Sequence, residues 1–98
     1  MRESAVEALL HRLVKSVGGL SFKLAPTVKG LPDRLVILPH GQVFLVELKA
    51  VGGRLSPAQR VLHRRLAERG VEVQVLTGPD EVRAWVDQIG RASCRERV

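Results

Sequence analysis

One cysteine, no tyrosine and no long apolar run set the outer bounds of this 98-residue chain. With Cys94 alone, neither an intrachain disulfide nor a cysteine-built zinc cluster can form. The aromatics are Phe22, Phe44 and Trp85, too few for the stacking platforms on which single-strand binders lay bases. No stretch reaches the roughly 18 apolar residues of a membrane-spanning helix. Met1-Arg2-Glu3-Ser4 passes straight into a mixed polar and apolar pattern, unlike a secretory leader. The expected address is the cytoplasm. Neither a glycine-rich nucleotide loop nor a nucleophile triad is visible.

What is present suits one small domain with one core. Hydrophobic residues make up 45% and charged residues 27%, a globular rather than a disordered balance. Sixteen Lys and Arg against ten Asp and Glu give +6, which suits a polyanionic partner as well as simple solubility. Residues 90–98 lack apolar periodicity, hold the sole cysteine and resemble a translated cloning or assembly scar. Taking away their three Arg and one Glu lowers the charge to +4, so the basic argument survives. The expected domain is 1–89.

Val6, Leu9, Leu10, Leu13, Val14 and Val17 recur at helical spacing, predicting a helix over 4–17 that Gly18-Gly19 stops. A short strand over 20–24 precedes a proline- and glycine-rich loop over 25–33. Leu35–Leu38 and Val43–Leu48, separated by Pro39-His40-Gly41, read as a hairpin. Ser56-Pro57 opens a helix to Arg69 with Val61, Leu62 and Leu66 inward. Val71, Val73 and Val75 alternate in a strand over 71–76. Pro79 then opens a helix with Val82, Trp85, Val86 and Ile89 on one stripe. The expectation is an α/β domain of order α-β-β-β-α-β-α, a mixed sheet flanked by helices.

The chemistry concentrates at Pro32-Asp33 and Glu47-Leu48-Lys49. The hairpin brings Asp33, at the mouth of the second strand, to the end of the third. Alternation puts Glu47 and Lys49 on one face. Two converging carboxylates, with the Leu48 carbonyl as a third oxygen, suit Mg²⁺. Lys49 beside them can stabilise charge on a phosphate or acidify the attacking water. The competing reading is a solvated strand end. Against it, Val43-Phe44-Leu45-Val46 is apolar on both faces, marking a central strand whose terminal charges need a partner.

Glu7 flanks the apolar stripe of the first helix and can reach the site, with Glu3 a competing carboxylate one turn earlier. Ser4…Glu7 and Ser56…Gln59 both fit capping boxes, so the residues alone favour caps for Glu7 and Gln59. His11 and His63 have no second ligand at metal spacing and are expected at the surface. Lys29, Arg34, Arg54, Arg60, Arg64 and Arg65 suit either a solvated face or phosphate contact.

Gly30-Leu31-Pro32-Asp33-Arg34, Val46-Glu47-Leu48-Lys49 and Gly53-Arg54-Leu55-Ser56-Pro57-Ala58-Gln59 together resemble the motifs of the VRR-NUC family, virus-type replication-repair nucleases of the PD-(D/E)xK superfamily. The likeness covers about residues 3–88. It implies a restriction-endonuclease-like core and phosphodiester cleavage with Mg²⁺ or Mn²⁺ held by Asp33, Glu47 and the Leu48 carbonyl. It adds Glu7 as a helix carboxylate and Gln59 as an active-site residue, against the cap reading. Lys23 matches a basic position facing the site and joins Lys29, Arg34, Arg54, Arg60 and Arg64 as expected DNA contacts. Small stand-alone members imply a homodimer acting on branched DNA such as four-way junctions, in a bacterial or phage-infected cell. The rival class is a nucleic-acid-binding module that keeps the fold without catalysis.

Overall fold

The structure, a computed structural model, describes residues 1–96, and their side chains as far as residue 92. The elements follow the expected order: α1 (Glu3–Ser16), β1 (Leu20–Lys23), β2 (Arg34–Ile37), β3 (Val43–Lys49), α2 (Pro57–Ala67), β4 (Val73–Thr77) and α3 (Gly78–Glu96). A single 3-10 turn, Pro39–Gly41, links β2 to β3. The sheet order is β1-β2-β3-β4. β1, β2 and β3 run antiparallel, and β4 lies parallel to β3. A parallel neighbour needs a crossover, and α2 supplies it.

Register assigns the two faces of the sheet. Arg34 stands opposite Val46 and Val36 opposite Phe44, while Leu48 stands beside Leu76. On this face Val36, Val46, Leu48 and Leu76 join Val6, Leu9, Leu10 and Val14 of α1 and Val82, Val86 and Ile89 of α3 in one buried cluster. Phe44 meets Trp85 edge-on, with ring centroids 5.3 Å apart, closing the α3 side. The other face carries Leu35, Leu45, Glu47 and Lys49.

Three local expectations are corrected. α2 buries no residue, and Val61 is exposed rather than inward, because the helix meets the second face beside β4 and the end of β3 without covering it. β4 begins at Val73, because the Val71 amide closes the end of α2 on the Leu66 carbonyl, 2.9 Å away. α1 begins at Glu3 with Arg2 as its N-cap and no side-chain cap. Ser4 therefore lies inside the first turn, and the Ser4–Glu7 capping box does not form.

α3 runs past Ile89. Gly90 packs on Val17, where an added Cβ would meet the Val17 Cγ1 at 3.0 Å. Arg91 and Ala92 are exposed, and Arg91 pairs with Asp87 at 3.1 Å, so this continuation is a solvated turn. Of the expected tail, Arg97 and Val98 lie outside the described residues.

Candidate active site

The β2–β3 register puts Asp33, the residue before β2, beside Glu47 near the end of β3. The Leu48 amide donates to Asp33 Oδ2 at 2.8 Å, fixing the first carboxylate against β3. Leu48 points its side chain into the core, while Glu47 and Lys49 share the opposite face. Alternation along a central strand thus anchors the site through one residue and builds it with the two on either side.

Glu47 is 0% exposed. His63 Nε2 of α2 lies 3.3 Å from its Oε1, and its Oε2 has no hydrogen-bond partner. Burial pushes the Glu47 pKa up from 4.5 to about 8, helped by the adjacent Asp33 carboxylate; Lys49 opposes the rise and Glu3 adds to it. Burial also lowers the His63 pKa below its usual 6.5, and the Lys49 charge lowers it further against the pull of Asp33. The site pairs a buried carboxylate with a half-buried one and is short of positive charge.

That shortage is a test of fit for a divalent cation. A buried oxygen without a partner is costly unless something satisfies it. The donors are hard oxygens, the kind Mg²⁺ or Mn²⁺ takes. Among the described residues no group of three or more His, Cys, Asp and Glu could hold a metal. Two carboxylates with backbone help suit an ion that keeps several waters. The residues fit.

Asp33 opens onto a cleft of about 450 Å³, lined by Pro26, Lys29, Gly30, Ser56 and Gln59 among others. Gly30 brings the 25–33 loop against α2: its φ is +88°, and an added Cβ would sit 2.4 Å from the Ala58 carbonyl oxygen. Gln59 forms the capping box, accepting from the Ser56 amide at 2.8 Å while Ser56 Oγ accepts from the Gln59 amide at 3.1 Å. It is both a cap and a wall of the cleft, so the two readings of this residue are compatible.

The structure divides the remaining expected residues. Arg34 is 9% exposed, and its guanidinium donates to Ser21 Oγ at 2.7 Å, Glu7 Oε2 at 2.9 Å, His11 Nδ1 at 3.0 Å and the Ser21 carbonyl at 3.1 Å. The expected DNA contact is corrected: Arg34 is a buried strut tying α1 to β1. Glu7 belongs to that strut through its Oε2 ion pair with Arg34 rather than to a cap. Glu3, the competing helix carboxylate, is the one whose charge reaches Glu47. His11 Nδ1 serves as an acceptor in this contact, since arginine can only donate. Lys23 is exposed at the end of β1 opposite Arg34; Arg54, Arg60 and Arg64 are exposed, with Arg60 donating to the Leu55 carbonyl at 3.2 Å.

Sequence reasoning missed His63 as part of the site. Its position one turn after Gln59 on the same helical face was the available signal.

The family model of the VRR-NUC domain matches residues 3–80. A protein of Acyrthosiphon pisum secondary endosymbiont phage 1, "Putative nuclease p44", is 41% identical over 81 residues, covering 82% of this chain and 87% of its own. A solved VRR-NUC domain superposes with a TM-score of 0.79 at 32% identity, covering 87% of this chain and 94% of that one. A solved VRR-NUC domain protein, 22% identical, shares the fold at a TM-score of 0.68, over 90% of this chain and 87% of its own. With the family model spanning Glu3 to Asp80, and so Asp33, Glu47 and Lys49, the chain belongs to the VRR-NUC domain family.

Proposed function

We propose that this protein is a metal-dependent nuclease that hydrolyses DNA phosphodiester bonds at Asp33, Glu47 and Lys49, selectively on branched structures such as four-way junctions. The observation that carries the reading is the fully buried Glu47, whose unpartnered Oε2 stands beside Asp33 at the end of a central strand. A protein interior keeps such a pair only by taking up a proton or by meeting a cation.

Asp33, Glu47 and the Leu48 carbonyl would hold Mg²⁺ or Mn²⁺. A divalent ion, when bound, supplies positive charge that acidifies a water and neutralises the scissile phosphate. Hydrolysis joins a water oxygen to phosphorus, breaks one P–O ester bond and returns a proton to the departing oxygen. Lys49, on the same face as Glu47, stabilises the negative charge that builds on the phosphate as those bonds change. Gln59 and Lys29, both lining the cleft beside Asp33, hold the backbone on its approach. Lys23, Arg54, Arg60 and Arg64 add exposed positive charge for duplex phosphates.

A homodimer supplies the two symmetric cuts that a junction requires. Support comes from the sheet face opposite the core, where register groups Leu20, Phe22 and Val43 and each is about half exposed, at 58%, 49% and 57%. An apolar patch on an otherwise charged surface is the kind a second copy covers.

The test is a panel of labelled linear, flap and four-way-junction DNAs incubated with Mg²⁺, Mn²⁺ or EDTA. The reading expects cleavage only with metal, and fastest on the junction. Binding without cleavage in any metal would favour a non-catalytic binding module instead.

A further inference from the structure

α2 buries no residue of its own in the core, yet the His63 side chain on that helix is only 13% exposed and sits against the fully buried Glu47 carboxylate. A side chain drawn inward only for packing would be apolar, like those under α1 and α3. This one is polar, and it meets Glu47 Oε1 while leaving Oε2 bare. The two oxygens of Glu47 are therefore inequivalent.

We infer that His63 is a positioning residue for the cation site, its Nε2–H holding Glu47 Oε1 so that Oε2 is the oxygen offered to the metal. The assignment rests on the metal-dependent reading above. The end of a carboxylate side chain rotates in a broad, roughly two-fold well, so burial alone does not select which oxygen faces a ligand. A donor fixed on one oxygen does. Holding the ionised carboxylate requires the proton on Nε2, because a bare ring nitrogen would only accept. Partners of this kind, which orient a ligating group without touching the metal, typically change metal affinity about 10–100-fold when removed. The helix that carries His63 is capped by Ser56 and Gln59 beside the same cleft, so closure of the loop, the cap and the cation site are set by one element.

The experiment is calorimetric titration of the full chain with Mn²⁺ for the wild type, Glu47→Ala, His63→Leu and His63→Gln, with melting curves to verify folding. Glutamine keeps an N–H donor on a side chain of similar reach. The inference expects His63→Leu to bind Mn²⁺ about 10–100-fold more weakly. His63→Gln should stay within a few-fold of wild type. In cleavage assays the Mg²⁺ concentration for half-maximal rate should rise in His63→Leu, with the rate recovering at saturating Mg²⁺. Unchanged affinity in His63→Leu overturns the inference, as does an equal loss in His63→Gln, which points to direct ligation. Absence of Mn²⁺ binding in the wild type, or binding that survives Glu47→Ala, overturns the cation-site reading itself.

Discussion

At Glu47 the metal-free protein meets neutral pH with a carboxyl that keeps its proton up to about 8, whereas the unfolded chain ionises it near 4.5. Between those values the folded state binds the extra proton, so its stability falls as pH rises. His63 works in the opposite sense, but only below its unfolded value of 6.5, where the unfolded chain takes up a proton that the folded site resists. The window from about pH 6.5 to 8 isolates Glu47. In EDTA the melting temperature should fall across that window, and Glu47→Gln should flatten the slope; a flat wild-type profile contradicts the assignment. Arg34 invites a different expectation. Removing its guanidinium strands a mostly buried Glu7 carboxylate, and breaking such a pair costs about 3 kcal/mol or more. Denaturant melts of Arg34→Ala should show that loss, while Lys29→Ala should melt normally and bind DNA more weakly. Asp33, Glu47 and Lys49 were legible because a hairpin turn and strand alternation fix their meeting locally. Arg34 was not, because Ser21, His11 and Glu7 lie 13, 23 and 27 residues away and nothing in the chain announces their convergence.

The elements were readable in order and type because hydrophobic period separates helix from strand almost everywhere along this chain. What the pattern could not give was how far each helix covers the sheet. α2 has the same kind of apolar stripe as α1, yet only α1 and α3 fill the core, and α2 is held by its cap, by Gly30 and by His63. Such a lightly held element makes the site sensitive to the loop that faces it. Gly30→Ala places a methyl 2.4 Å from the Ala58 carbonyl oxygen at a φ of +88°. The left-handed backbone alone costs about 1–2 kcal/mol, and the clash must push the loop away from α2. Cleavage should drop more than about tenfold while far-UV circular dichroism keeps the helical signal, since the core face is untouched. Full activity in Gly30→Ala would show that the loop and α2 need not meet.

For the whole molecule, the proposal of a two-fold dimer rests on the open apolar sheet face of a 10.8 kDa chain. Light scattering should give a mass near twice 10.8 kDa, and Phe22→Glu with Val43→Glu should return it to the single-chain value. A monomer across micromolar concentrations would remove the two-cut account and leave the chemistry standing. No exposed apolar stripe stood out in the sequence, because Leu20, Phe22 and Val43 come together only through strand register. The chemistry itself is tested most directly by single-turnover cleavage of a four-way junction in Mg²⁺ by the wild type, Asp33→Ala, Glu47→Ala and Lys49→Ala, with binding of the same junction measured in parallel. The account predicts no cleavage from either carboxylate variant, and near-normal binding with cleavage slowed at least about 100-fold in Lys49→Ala, since that charge acts on the transition state. Cleavage by Asp33→Ala and Glu47→Ala at the wild-type rate would contradict it.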